Sequence, residues 1–198
     1  NLYLHSNEDA TAKKMILQAK QRFKKDKFIV FQPYGSGINS DHYDSSGRSL
    51  YKEGYEAIAR HLSKDVVVLY FGNLEHNHIN DENVVLTTKD IPGADLRFFM
   101  SMIKNCDYFV GVDSVGQHMA RAFDIPGTIL MGSTFERNVT YDWFYTYRKE
   151  NSQPTYNPIR ISPNGTELID RLNDGIMNFS KDELKTICDI IDEGIERG

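Results

Sequence analysis

Apolar residues recur at helical spacing in five segments of the chain, with charged residues between them. A spacing of three or four residues places such side chains on one face of an amphipathic helix. The apolar positions of the five predicted helices are Ala12, Met15, Ile16, Ala19 and Phe23; Tyr51, Tyr55, Ile58, Ala59 and Leu62; Leu96, Phe99, Met100 and Ile103; Val115, Met119, Ala122 and Phe123; and Leu184, Ile187, Cys188, Ile191 and Ile195. We expect each helix to bury that face.

Short apolar runs lie between these helices and predict five strands. The runs are 28–31, 66–71, 84–86, 108–112 and 128–131, and several of them border on Gly or Pro. Strands that alternate with helices and are apolar throughout are typical of a parallel sheet covered on both faces. The pattern therefore predicts a single doubly wound, Rossmann-like α/β domain with a mainly parallel sheet, whose ligands bind at the carboxyl ends of the strands.

The segment after the fifth predicted strand interrupts this alternation. Its first part is aromatic and polar without a period, so we expect residues 135–179 to form a long loop region packed across the surface. Ser180 and Glu183 then form a predicted capping box for the last helix. The predicted domain covers 1–198 and consists of a leading helix in 1–26, the Rossmann-like core in 27–134, this loop region, and a C-terminal helix in 180–198.

Composition and charge narrow the range of functions. The 198 residues, 40% hydrophobic and 12% aromatic, suffice for one core of an ordinary globular protein. A formal net charge of -5 argues against a nucleic-acid-binding surface, so any phosphate site must be local. Cys106 and Cys188 are far apart in sequence and are predicted to be buried thiols. No apolar run reaches the roughly 20 residues that a membrane-spanning helix needs.

The residues after the fourth predicted strand carry the clearest candidate chemistry. Asp113 and Ser114 fall where this strand ends and a helix begins. The N–H groups of a first helical turn and the positive end of the helix dipole together favour an anion. His118 lies four residues beyond Ser114 on the same helical face. We also expect Ser114 and Gln117 to form a capping pair, so the segment predicts an anion site.

This segment resembles a known family. Residues 113–120 have the order D-S-x-x-x-H-x-A, and residues 125–134 follow as I-P-x-x-x-L-x-G-x-T. Both patterns resemble the ADP-heptose:lipopolysaccharide heptosyltransferases. Weaker similarities extend the resemblance over roughly residues 25 to 135: 28–35 to the family's strand ending in P-G-A, 47–50 to its K-x-W-P element, and 94–107 to the stretch before the fourth strand.

The resemblance implies the C-terminal, donor-binding half of a two-domain (GT-B) glycosyltransferase of lipopolysaccharide biosynthesis. The whole enzyme would transfer a sugar from a nucleotide-diphosphate donor, ADP-heptose or a similar one, to a hydroxyl of a saccharide or lipid-linked saccharide. The acceptor site and the catalytic base would lie in an N-terminal domain outside this chain, so the isolated chain is expected to be inactive. Neither a metal nor a cofactor is expected. We expect a cytoplasmic protein that, at full length, is peripheral at the inner membrane.

The resemblance also implies roles for single residues. Arg48 takes the place of a family lysine that neutralises the donor phosphates, which a guanidinium can bind bidentately. Ser114, the main chain of Val115 and Gly116, and His118 would hold the diphosphate.

The remaining implied contacts concern the donor's sugar and nucleoside. Asp113 would face the donor sugar, Glu75 the ribose, and the main chain at Gly93 and Ala94 the base. The chain also departs from the family pattern, because Trp and Pro of K-x-W-P are absent and Val115 stands where the family has Gly.

Three further interpretations are weighed against this one. A non-catalytic Rossmann-like module that binds a nucleotide or a protein would explain the departures, with the aromatic stretch 141–147 as a contact surface. Residues 112–116 also resemble the G-x-S-x-G elbow of hydrolases, with Ser114 as nucleophile, although Val112 replaces the first glycine. His76 and His78 near Asp81 could suggest a metal, but such a pair in a polar loop is mostly coincidence.

Overall fold

A computed structural model of the chain describes residues 2–35, 47–71, 91, 94–154 and 175–198, and the backbone of 85–87. The helices within these residues are α1 Ser6–Phe23, α2 Lys52–Leu62, α3 Leu96–Asn105, α4 Val115–Ala122, α5 Glu136–Val139 and α6 Lys181–Arg197. The strands are β1 Phe28–Gln32, β2 Val67–Tyr70, β3 Val85–Thr87, β4 Tyr108–Val112, β5 Gly127–Met131 and β6 Tyr145–Arg148. The described helices include none that is long and apolar enough to cross a bilayer.

The strands form one sheet in the order β3-β2-β1-β4-β5-β6, and every neighbouring pair is parallel. This is the strand order of a Rossmann-like doubly wound fold. The direction in which successive strands are added reverses between β1 and β4, which is the topological switch point. The predicted fold class is therefore confirmed.

The core has two layers, one on each face of the sheet. In β1, Ile29 and Phe31 point to the layer covered by α2 and α6, whereas Phe28 and Val30 point to the layer that includes residues of α1, α3 and α4. All five residues of β1 are buried. Coverage of both faces explains why the central strands are continuous apolar runs rather than alternating ones.

The five predicted helices are present as α1, α2, α3, α4 and α6, and each buries most of its apolar positions. The exceptions lie at helix ends: Tyr51, Leu96, Val115 and Ala122 were expected on buried faces but are exposed. The capping box of α6 is also confirmed: the Glu183 N–H donates to Ser180 Oγ at 3.2 Å, and the Ser180 N–H donates to Glu183 Oε2 at 2.8 Å. Cys106 and Cys188 are buried free thiols, as expected. Burial raises the pKa of Cys106 to about 12 and that of Cys188 to about 11.

The expectation of a loop throughout 135–179 is wrong for its first part. This segment contains the short helix α5 and the strand β6, which pairs with β5 at the edge of the sheet. In β6 only Tyr147 is buried, while Thr146 is exposed. A four-residue edge strand with one buried side chain leaves no apolar run in the sequence, which is why the pattern missed it. Residues 155–174 lie outside the described part.

Candidate functional site

The switch point brings the end of β1 next to the end of β4. Gln32, the last residue of β1, is in register with Gly111 of β4. From these two ends the chain departs to opposite faces of the sheet, because α2 packs in one core layer and α4 in the other. Doubly wound proteins bind their ligands at such a divergence, beside the carboxyl ends of the strands.

Asp113 is the buried centre of the turn that leaves β4. Its side chain is 5% exposed, and both carboxylate oxygens accept hydrogen bonds. Gln117 Nε2 donates to Oδ1 at 3.0 Å, and Thr134 Oγ1 donates to Oδ2 at 2.6 Å. Asp113 therefore ties together the end of β4, the first turn of α4 and the loop after β5.

Ser114 is the N-cap residue of α4, but its side chain does not cap the helix. The predicted capping pair with Gln117 is wrong, because the Gln117 amide donates to the Asp113 carboxylate instead. The Ser114 hydroxyl instead accepts a hydrogen bond from Gln32, at the end of β1, with 3.1 Å between Gln32 Nε2 and Ser114 Oγ. The first-turn N–H groups, from Val115 onward, have no acceptor within the helix, which leaves them to an external anion.

Gly116 allows α4 to lie directly on the end of β1. A Cβ at this position would overlap Gln32 Oε1 and come within 2.6 Å of the Phe109 ring. Gly116 is therefore required for close packing under the first turn, while the preceding Val115 is exposed to solvent.

Arg48 reaches the same turn from the loop before α2. Its Nη1 donates to the Asp113 carbonyl at 3.3 Å. The neighbouring Gly47 has a positive φ of 59°, and its carbonyl accepts a hydrogen bond from the Ser133 N–H at 3.2 Å. This backbone contact fixes the main chain next to Arg48, whose guanidinium contacts the residue before the N-cap of α4.

His118 lies one turn further along α4 and is exposed. Its Nδ1 lies 2.9 Å from the Tyr141 hydroxyl, and the two rings are nearly perpendicular with centroids 5.7 Å apart. The imidazole is thus held at the surface by a polar contact and does not point into apolar packing.

The loop after β5 is clamped by Arg148 at the end of β6. Arg148 donates to the carbonyl of Gly132 and, at 2.6 Å, to that of Thr134. Its Nε also lies 3.3 Å from Glu136 Oε1. Burial lowers the pKa of this guanidinium and outweighs the opposing effect of Glu136. The clamp holds Thr134, and through it Asp113, in place.

Three other residues were predicted to contact the donor: Glu75, Gly93 and Ala94. Ala94 lies just before Asp95, the N-cap residue of α3, and its N–H donates to the Ile91 carbonyl at 3.2 Å. Glu75 and Gly93 lie outside the described residues, as does the segment 76–81 with its two histidines. In the part of the chain that the structure describes, no group of His, Cys, Asp or Glu side chains is arranged to hold a metal.

The structure also adds residues that the sequence interpretation missed. Thr134, Arg148 and Tyr141 contact the site from segments after β5. Thr134 ends the I-P-x-x-x-L-x-G-x-T pattern and Tyr141 begins the aromatic stretch 141–147, but neither was given a role in the site, and nothing local in the sequence marks Arg148. Gln32 left a weak signal, since it is a polar residue directly after the apolar run 28–31.

Comparison with known proteins gives matches among solved structures only, since no family model and no curated protein matches the sequence. A glycosyl transferase of family 9 from Veillonella parvula superposes with a TM-score of 0.67 at 10% identity, over 100% of this chain and 54% of that one. The dodecameric iron-containing heptosyltransferase TibC, solved with ADP-D-beta-D-heptose, gives 0.50 at 10% identity over 88% and 48%. The ADP-heptose lipopolysaccharide heptosyltransferase II of E. coli gives 0.48 at 15% identity over 77% and 46%.

These identities are low enough that the likeness concerns the fold. The chain spans about half the length of the solved proteins that it matches. It therefore has a glycosyltransferase-like fold, which superposes on about half of the Veillonella parvula protein.

Proposed function

We propose that this chain is the C-terminal, donor-binding half of a GT-B glycosyltransferase, and that it binds a nucleotide-diphosphate sugar of the ADP-heptose kind. The observation that carries the proposal is the arrangement at the switch point. There the uncapped first turn of α4, the Ser114 hydroxyl and the Arg48 guanidinium converge, within a fold that family 9 glycosyltransferases share.

The chemistry of this arrangement suits a diphosphate. Main-chain N–H groups at Val115 and Gly116 and the positive end of the helix dipole attract an anion. A guanidinium has five N–H donors, so Arg48 can bind phosphate oxygens and keep its bond to the Asp113 carbonyl. His118 would add a further donor one helical turn away.

The same groups would act in the transfer step. As the bond between sugar and phosphate breaks, negative charge grows on the departing diphosphate. Donors that are already fixed around it stabilise that charge without a metal ion. The base that deprotonates the acceptor hydroxyl would belong to the N-terminal half, together with the saccharide or lipid-linked acceptor. We further propose that the protein is cytoplasmic and that the full-length enzyme is peripheral at the inner membrane.

Asp113 has a narrower role in this proposal than the resemblance implies. Both of its oxygens already accept protein hydrogen bonds, so only their remaining lone pairs could contact a donor sugar. Its main contribution would be to hold the shape of the turn. The ribose contact of Glu75 and the base contacts of Gly93 and Ala94 remain predictions.

Calorimetric titration with ADP, UDP and GDP tests the proposal. We expect at least one of these nucleotides to bind, and Arg48→Ala to weaken that binding roughly tenfold or more, because charge-assisted hydrogen bonds are lost. His118→Ala should weaken it less. Arg197→Ala, on the exposed end of α6, is the matched control and should bind as the wild type does. If no nucleotide binds to the folded chain, the proposal is wrong.

The second candidate function is a non-catalytic Rossmann-like module that binds a nucleotide or a protein partner. It is favoured by Val115, which stands where the heptosyltransferases carry glycine, and by the exposed rings of Tyr141 and Trp143. Failure of all three nucleotides to bind would favour a protein-binding module. Binding that is insensitive to Arg48 and His118 would favour a module with a different nucleotide site.

A further inference from the structure

Gln32 has a side chain that folding stability does not explain. The residue is 7% exposed, and its Nε2 donates to Ser114 Oγ at 3.1 Å. Its Oε1 is buried and has no hydrogen-bond partner among the described residues. A buried carbonyl oxygen without a donor costs folding free energy. An apolar residue of similar shape would avoid that cost, so the amide calls for a functional reason.

The position of this amide is closely fixed. It lies at the end of β1, directly beneath the first turn of α4, where only a glycine at 116 leaves room for it. Gln32 thus contacts the Ser114 hydroxyl from a buried position, whereas Ser114 itself is partly exposed.

We infer that Gln32 is a positioning residue of the diphosphate site, which orients the Ser114 hydroxyl so that its proton is donated to a phosphate oxygen. The inference rests on the proposed function. A serine hydroxyl has one proton and two lone pairs. When one lone pair accepts from Gln32 Nε2, the proton points elsewhere, and a phosphate oxygen is an acceptor that needs a donor. Gln32 therefore acts on the ligand through Ser114 rather than by direct contact.

Two substitutions of similar shape separate this role from simple packing. Gln32→Met removes the donor without adding charge, so the Ser114 hydroxyl can rotate and diphosphate affinity should fall about three- to tenfold. Its melting temperature should equal or exceed that of the wild type, because the unpartnered oxygen is removed as well. Gln32→Glu should weaken binding more, because the carboxylate accepts the Ser114 proton and repels the phosphates.

The test compares two ligands for each variant. Affinity is measured for whichever of ADP, UDP and GDP binds the wild type most tightly, and for the corresponding nucleoside by saturation-transfer NMR, which detects weak binding. We expect both Gln32 variants to lose affinity for the diphosphate but not for the nucleoside. The double variant Gln32→Met with Ser114→Ala should bind no more weakly than Ser114→Ala alone, because both changes remove the same interaction. Gln18→Met, at an exposed position of α1, is the matched control.

Several results would overturn the inference. One is a Gln32→Met variant that keeps the wild-type affinity for the diphosphate. Another is an equal loss for diphosphate and nucleoside, which would indicate a structural role. A Gln32→Glu variant that binds as the wild type does would mean that the amide presents its oxygen, not its nitrogen, to Ser114. A folded wild-type chain that binds none of the three nucleotides would instead overturn the proposed function, and the ligand assigned to Gln32 with it.

Discussion

Single side chains around Ser114 fall into two groups, those that would contact a ligand under the proposed function and those that hold the turn in shape. Arg48 and His118 belong to the first group, and a family motif marks both in the sequence. Thr134 and Gln32 belong to the second group. Their contacts depend on which strands are neighbours, and spacing along the chain carries no such information. The predicted capping pair of Ser114 and Gln117 is wrong for a similar reason. The Gln117 amide donates to the nearby Asp113 carboxylate, and spacing along the chain does not reveal that this acceptor is in reach.

At this scale, Gly116→Ala should lower the free energy of unfolding by about 1–3 kcal/mol. The added Cβ would overlap Gln32 Oε1 and press on the Phe109 ring. This overpacking should destabilise the fold by more than the higher helix propensity of alanine stabilises it. Urea unfolding measures the change. The matched control is Gly54→Ala in α2, where a Cβ would meet its nearest neighbour, a Leu184 methyl carbon, at 3.8 Å. The control should be as stable as the wild type or more so, and equal losses in both variants would contradict the explanation.

Among the elements, the five longer helices could be predicted because the sequence of each one shows apolar residues at helical spacing. The four-residue α5 buries no side chain and could not be predicted in this way. The central strands could be predicted because both of their faces are covered. β6 lies at the edge of the sheet and has no apolar run that would mark it in the sequence. It nevertheless carries Arg148, which holds the loop after β5. The element that was hardest to predict therefore contributes to the shape of the site.

The N-terminus of α6 should make stability depend on pH. Burial raises the pKa of Glu183, but hydrogen bonds from the Ser180 N–H and hydroxyl and from the Glu150 N–H outweigh it, so the pKa lies below its usual value. A carboxylate with a lowered pKa in the folded state stabilises above its unfolded pKa of about 4.3, and this contribution is lost as the pH falls through the folded pKa.

Unfolding by urea at pH 7 and at successively lower pH tests this expectation. Glu183→Gln keeps an oxygen that can complete the capping box but removes the charge, so it should cost less than the roughly 1 kcal/mol of a lost cap at pH 7, and the difference from the wild type should shrink as the solution becomes acidic. Glu196→Gln, an exposed position on the same helix, is the control. A difference that stays constant down to the acid transition would show that the carboxylate charge does not contribute.

For the whole molecule, the decisive feature is the strand order. Local patterns predicted a doubly wound domain, but the adjacency of β1 and β4 emerges only from the assembled sheet. That adjacency brings Gln32 to the Ser114 hydroxyl, next to the Asp113 carbonyl that Arg48 contacts. The fold that contains it superposes on the Veillonella parvula structure at 10% identity, where the sequence offered only short motifs as a sign of likeness.

The half-enzyme proposal predicts a separation of binding from turnover. The isolated chain should bind the nucleotide in calorimetry but release no nucleotide diphosphate from a nucleotide-sugar in a coupled assay. A longer protein that includes the N-terminal half should do both when an acceptor saccharide is present. Turnover by the isolated chain would contradict the placement of the base outside it.

Arg148 lies in the edge strand and holds the loop after β5, which matters for protein engineering. Anyone who selects variants for tighter or looser nucleotide capture should recover changes at this arginine and along β6 as well as in the turn. Such changes would alter affinity while leaving every ligand-contacting side chain untouched. Libraries confined to the ligand-contacting positions would therefore miss part of the sequence space that tunes affinity.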